Sequence, residues 1–247
     1  MSTPVNDTPG NDTPMGLDFE ALRSEIHVVP VLLESAPGEA AWSLLDSDEA
    51  ARARAFTAPR AQAAFVHCRA LLRSLLGACL DQPPSSLVFA YNDFGKPSLA
   101  AHSDFCFNVS HSGGVALLAF AAGAPIGVDI ERLRPMHRAL ALAERFFSQQ
   151  ESFALRSLAA GAIDTAFLSC WTRKEAAVKA LGINLDGQLG WFSVPVEPMP
   201  APVSIAVSGL QLTLHSLPLA PHAIGALAYA GPPRPVRIEA WRHASRT

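Results

Sequence analysis

Asp129 and Glu131 stand one residue apart in "IGVDIE" (residues 126–131), directly after an apolar run. In an extended segment, successive side chains face opposite ways. Ile126, Val128 and Ile130 then share one face, and Gly127, Asp129 and Glu131 share the other. A core-seeking apolar set therefore holds two carboxylates on one rigid surface. Two neighbouring oxygen ligands suit a hard cation such as Mg²⁺, which keeps waters and substrate phosphates in its shell. The same pattern also fits a solvated strand face on which Glu131 pairs with Arg132 or Arg134.

"WTRKEAAVKALG" (171–182) adds a third carboxylate and an ammonium. On a helix, Trp171, Glu175 and Lys179 fall along one line at i, i+4 and i+8, with Val178 beside them. A Glu–Lys pair at this spacing is ordinary helix stabilisation, but charge on a largely apolar helix needs a partner. A metal ion and a phosphate would supply one for each.

"FNVSHSGG" (107–114) offers the Ser110 hydroxyl and the His111 imidazole next to a Gly-Gly turn whose backbone N–H groups can cradle phosphate oxygens. A serine nucleophile finds no support, because G-x-S-x-G is absent and adjacent strand residues point apart. "FGKP" (94–97) presents Lys96 at a tight turn, where it can hold a phosphate or point into water. The phosphate loops G-x-x-x-x-G-K-[ST] and G-x-G-x-x-G are missing. The remaining histidines show no zinc spacing and read as structural or surface groups.

These residues need elements to hold them. "IHVVPVLL" (26–33) predicts a first strand. "LDSDEAARARAF" (45–56) predicts a helix capped by Asp46 or Ser47, and "AQAAFVHCRALLRSLLGACL" (61–80) a long helix stopped near Pro83-Pro84. "LVFAYNDFGKPSL" reads as a strand running into a turn, and 105–121 as a hairpin bent at Ser-Gly-Gly. From about Gly123 follow the "IGVDIE" strand, a helix in "MHRALALAERFF" and another in "SQQESFALRSLA". Ser148 and Glu151 are spaced there as a capping box. The "WTRKEAAVKALG" segment ends a long helix closed by Gly182. "GWFSVPV", "VSIAVSG", "LQLTLHSL" and "AIGALAYAG" predict a meander, and the last segment one edge strand. The fold class is α+β, in two similar-sized lobes: residues 1–17 a disordered tail, 18–122 one lobe and 123–247 the other.

With 247 residues, 49% hydrophobic and 17% charged, the chain can bury a substantial core under a lightly charged surface. Its net charge of −3 supplies no global field for nucleic acid or anionic membrane, so any bound anion is caught by a few placed cations. Four cysteines without C-x-x-C pairing, and an N-terminus with neither a basic start nor an apolar core, predict a cytoplasmic protein with reduced thiols. The apolar run 115–126 is broken by Gly123 and Pro125, which fits a buried strand better than a membrane span.

In order and spacing, "FGKP", "FNVSHSGG", "IGVDIE", "RFFSQQE" and "WTRKEAAVKALG" resemble the 4′-phosphopantetheinyl transferases. The similarity is to the longer, monomeric type that activates peptide and polyketide synthases, and it runs from about residue 45 to 183. The resemblance implies two pseudo-symmetric lobes with the active site in the cleft between them. It implies Mg²⁺ held by Asp129, Glu131 and Glu175 with the pyrophosphate of coenzyme A as co-substrate. Ser110 and His111 would touch the coenzyme A phosphates, Lys96 its adenosine end, and Arg52 its 3′-phosphate. A neighbouring position that is often basic in the family is Glu49 here, which leaves Arg54 a poorer replacement. Lys179 would stabilise or protonate the leaving diphosphate, and the general base would be Glu175 or Glu151 unless Glu151 serves only as a cap. The partner would be an apo acyl or peptidyl carrier protein.

Two other classes stay open from residues alone. One is a silent module that binds coenzyme A or a nucleotide; the other is a Mg²⁺-dependent phosphohydrolase that uses water and no carrier protein.

Overall fold

The computed structural model describes residues 17–33, 36–183, 189–219 and 223–243. The expected tail lies outside them except for Leu17, which is buried against the core of the first lobe.

Three antiparallel strands form the centre of the first sheet. β1 (Ile26–Leu32) pairs with β5 (Val115–Ala122), which pairs in turn with β4 (Phe105–Ser112). Gly113 and Gly114, at φ of 55° and 89°, make the two-residue β4–β5 turn. Only glycine takes such a pair of left-handed angles without strain, and this turn matches the twist of the strands. A helix backs the sheet: α3 (Pro59–Leu80) lays Leu71, Leu72, Leu75 and Leu76 against Val29, Val31, Phe105, Phe107, Leu118 and Phe120. It is long and apolar enough by composition to cross a membrane, but it is the core helix of this layer. Before it come α1 (Glu39–Ser43) and α2 (Ser47–Arg54). Asp46 is the N-cap of α2, in a reciprocal box with Glu49. Glu49 is buried because it also meets Arg69 at 3.3 Å and Arg73 at 2.7 Å, pinning α2 to α3. After α3, β2 (Phe89–Tyr91) and β3 (Pro97–Leu99) form a small separate hairpin.

The second sheet runs β6 (Ile126–Arg132), β9 (Ala223–Ala230), β8 (Leu210–Leu217), β7 (Val203–Val207), all antiparallel. α6 (Ile163–Leu181) covers its outer face, with α4 (Ala139–Phe146) and α5 (Gln149–Arg156) beside it. The inner faces of the two sheets share an apolar layer containing Ile26, Val28, Leu117, Ala119, Val128, Ile130, Leu227 and Tyr229. β5 is thus covered on both faces, even-numbered residues by α3 and odd-numbered ones by the second sheet. That explains why its sequence is apolar throughout rather than alternating. Each Leu or Phe buried there contributes roughly 1.5–3 kcal/mol.

The predicted helices, the 105–121 hairpin and the last three strands of the meander form where the sequence predicts them, while α1 and the return strand β3 are additions. "GWFSVPV" forms no strand, because side chains take its backbone groups: Phe192 O accepts from Lys174 and Val194 N donates to Glu151. The final segment gives two short strands, β10 (Val236–Ile238) and β11 (Arg242–His243). Both pair in parallel with β1, so the chain returns to the sheet of the first lobe. The result is an α+β fold of two lobes, each a sheet backed by a long helix.

Candidate active site

Gly127 decides how the second lobe presents its charges. A Cβ there would stand 2.1 Å from Ala176 O and 2.3 Å from Ala180 N. Only a residue without a side chain lets α6 lie this close on β6. The contact sets the last turns of α6 directly above the strand that carries Asp129 and Glu131. As the strand period requires, Ile126, Val128 and Ile130 face the shared apolar layer.

The facing edges of the two sheets, β4 and β6, meet through side chains. Asn108, Ser110 and Ser112 alternate along one face of β4 and all reach β6. Val128 N donates to Asn108 Oδ1 at 2.9 Å, Ser110 Oγ donates to Asp129 Oδ1 at 2.7 Å, and Ser112 Oγ donates to Glu131 Oε2 at 2.6 Å. Ser110 thus turns toward the carboxylates, while His111 points the other way and is exposed. Asn108 and Ser112 were not singled out from sequence. The N-x-S-x-S alternation was the available signal.

Lys179 closes this cluster from above. Its Nζ lies 2.6 Å from Asp129 Oδ1 and 3.0 Å from Ser110 Oγ. Asp129 Oδ2 is buried with no hydrogen-bond partner among the described residues. Burial raises the Asp129 carboxyl above its ordinary range, with Lys179 and Ser110 opposing and Glu131 reinforcing the shift. Glu175 is raised too, first by burial and then by Asp129 and Glu131, against the Lys179 charge. Three carboxylates therefore feel one another's charge around a single ammonium. Glu131 also receives Arg134 at 2.6 Å. Among the described residues, no three His, Cys, Asp or Glu side chains are gathered to hold a metal ion as they stand. The orphaned oxygen and the excess of hard anionic donors nevertheless fit a hard divalent cation in chemical type.

Glu151 occupies a different environment. Its Oε2 accepts from Ser148 N at 2.8 Å, completing the capping box. Its Oε1 accepts from Lys174 Nζ at 2.7 Å and Val194 N at 2.7 Å. Glu151 and Lys174 are both fully buried, and the ammonium also lies over the rings of Phe147 and Phe192. Every oxygen of Glu151 is engaged in holding α5, α6 and the 192–194 loop together, which leaves Glu175 as the more accessible carboxylate of the two sequence candidates.

The predicted phosphate ligands divide. A cavity of about 1100 Å³ opens between the β4–β5 turn and the start of α3, lined by His111, Gly113, Gly114, Arg60, Arg132 and Leu33 among others. Although its surface is exposed, the cavity walls around His111 withdraw enough water to hold the imidazole below its ordinary value; Lys179 lowers it further, and Asp129 opposes the shift. Arg60 and Arg132 were not anticipated as phosphate ligands, since lone arginines at a helix start and at a strand end carry no spacing signal. The expected cation Arg52 does not line this cavity; its guanidinium lies over the Phe65 ring at 5.3 Å, and Arg54 lies over Trp42. Lys96 does not line it either. Its Nζ sits on three backbone carbonyls, and burial lowers the ammonium to about 8.

Known proteins are similar to this chain in sequence. Residues 125–222 match the 4′-phosphopantetheinyl transferase superfamily, and residues 36–123 match the family described as 4′-phosphopantetheinyl transferase, N-terminal. The 4′-phosphopantetheinyl transferase HetI of Nostoc sp. is 35% identical over 217 residues, covering 85% of this chain and 90% of HetI. Sfp of Bacillus subtilis is 35% identical over 124 residues, 50% of this chain and 54% of Sfp. AcpT of Salmonella typhi is 34% identical over 145 residues, 59% of this chain and 71% of AcpT. With similarity to HetI running along most of both chains, and with both lobes matched in order, this chain belongs to the 4′-phosphopantetheinyl transferase superfamily, as an enzyme of the Sfp type.

Proposed function

We propose that the chain transfers the 4′-phosphopantetheine group of coenzyme A to a serine of an apo acyl or peptidyl carrier protein, with Mg²⁺, releasing 3′,5′-ADP. The observation that carries this reading is the contact of Lys179 with Asp129 and Ser110, where the charges of Glu131 and Glu175 are also felt and Asp129 Oδ2 is left buried and unpartnered. Asp129, Glu131 and Glu175 would hold the cation, which neutralises charge on the pyrophosphate when bound. Ser110 would face the pyrophosphate beside the carboxylates, and His111, Arg60 and Arg132 would meet coenzyme A phosphates from the adjoining cavity.

The carrier serine Oγ attacks the β-phosphorus, and the bond from that phosphorus to the bridging oxygen breaks, so that 3′,5′-ADP leaves. Glu175 takes the serine proton, directly or through a water. Lys179, already poised at the carboxylate face, meets the charge growing on the 5′-phosphate of the leaving 3′,5′-ADP. The unpaired cysteines, two of them buried, fit the reducing cytoplasm as the place of action, with the chain working as a monomer.

Incubating the protein with coenzyme A, Mg²⁺ and an apo carrier, then weighing the carrier, tests the reading. A carrier heavier by one phosphopantetheine is expected. Release of phosphate from coenzyme A with no gain in carrier mass would overturn it in favour of a hydrolase.

A further inference from the structure

We propose that Lys96 is a positioning residue for the transfer: from the β2–β3 hairpin of the first lobe, its ammonium holds the last turn of α6 on β6 and so fixes where Glu175 and Lys179 stand over Asp129. The inference rests on the transferase reading above and gives Lys96 a different task from contact with coenzyme A.

Lys96 Nζ lies 2.9 Å from Ile126 O, 2.5 Å from Lys179 O and 3.2 Å from Ala180 O. An ammonium has three N–H donors and no acceptor, so three carbonyls saturate it and leave nothing for a phosphate oxygen. Two of those carbonyls belong to the C-terminal turn of α6, where carbonyls lack partners within the helix and the helix dipole favours a cation. The third belongs to β6, immediately before Gly127. The clasp therefore joins helix and strand at the very point where Gly127 allows them to touch.

The same hairpin adds a second hold. Asn92 Nδ2 donates to Gly182 O at 2.7 Å, while Asn92 Oδ1 accepts from Phe94 N and Lys96 N and shapes the turn that delivers the lysine. Among the described residues no carboxylate lies within ion-pair distance of Lys96. Lys179 is consequently gripped at both ends: its carbonyl by Lys96 from the first lobe, its ammonium by Asp129 and Ser110. A small shift of that turn moves the Lys179 ammonium and the Glu175 carboxyl together, and misplacement by about 1 Å can cost on the order of 100-fold in rate.

The test compares wild type with Lys96→Met and Asn92→Ala in the carrier-weighing assay, run well below the melting temperature of each variant, with kcat and the KM for coenzyme A measured separately. Lys96→Met is expected to lower kcat about 10- to 100-fold while the KM for coenzyme A stays within about threefold. Asn92→Ala is expected to move kcat in the same direction by less. A raised KM for coenzyme A with kcat preserved would place Lys96 on the ligand instead. A lowered melting temperature with both constants preserved would make the clasp merely structural, and failure of both variants to fold would do the same; each result overturns the proposal. If only Lys96→Met fails to fold, the kcat of Asn92→Ala decides. Absence of carrier modification by the wild type would count against the transferase reading itself.

Discussion

The ammonium of Lys179 lies 2.6 Å from Asp129 Oδ1, not on Glu175 one turn earlier in its own helix. The expected i, i+4 pair is thereby replaced by a contact from helix to strand, shared with Ser110 of the other lobe. This contact makes the site a junction of three elements, and it sets what substitution should do.

Lys179→Ala is expected to lower kcat by about 10²–10³, the usual loss for one preorganised cationic donor. It also leaves Asp129 buried without its cation. The variant should therefore melt lower than wild type at neutral pH, and the difference should shrink as falling pH protonates Asp129. Steady-state kinetics beside melts at two pH values check both parts. A kcat within threefold of wild type would return this lysine to a structural role.

Glu175 has its carboxyl raised by burial and by two neighbouring carboxylates. A group whose folded pKa lies above its unfolded value favours folding at low pH and loses that contribution as pH rises through the folded pKa. Glu175→Gln removes the ionised form. The variant should melt higher than wild type at pH 8, with the gap closing toward pH 4, and it should have almost no transfer activity. A gap that instead widened on acidification would show that the ionised carboxylate stabilises the fold.

His111 is held below its ordinary value in the free protein. A phosphate beside it would favour the protonated ring, so coenzyme A binding near pH 6.5 should take up protons. Calorimetry in buffers of different ionisation enthalpy measures that uptake. His111→Ala should abolish it and raise the KM for coenzyme A roughly 10- to 150-fold, the equivalent of a lost charged hydrogen bond of about 1.5–3 kcal/mol. Equal heats in all buffers for the wild type would take His111 away from the phosphates.

Glu151 and Lys174 form a fully buried ion pair. Lys174→Met alone leaves a buried carboxylate without its cation, at about 3–5 kcal/mol. The double variant Lys174→Met, Glu151→Leu should melt above that single one, because no uncompensated charge remains. Measured below its melting point, the double variant should keep kcat within about tenfold of wild type. A fall of 10²–10⁴ would identify Glu151 as the general base.

Several features were legible because they depend on local rules. The alternation of Ile126, Val128 and Ile130 against Asp129 and Glu131 follows from the strand period, and Trp171, Glu175 and Lys179 follow from the helix period. Gly113-Gly114 dictated a tight turn, and the Ser148–Glu151 spacing dictated a cap. Ordered along the chain, these motifs carried the family resemblance without any knowledge of contacts.

Partners distant in sequence followed no such rule. Which acceptor an ammonium finds depends on which elements are brought beside it, so Lys96 fell on the carbonyls of Ile126, Lys179 and Ala180, and Lys174 fell on Glu151. Arg60 and Arg132 line one cavity although 72 positions separate them, which only the packing of α3 beside the β4–β5 turn brings about. The return of β10 and β11 to β1 is likewise a long-range choice, made by an open strand edge rather than by the short segments that fill it. By itself the sequence determined which side chains share a face, because backbone periodicity is local. Tertiary structure alone decided which faces meet, because burial and hydrogen bonding are satisfied over the whole molecule at once.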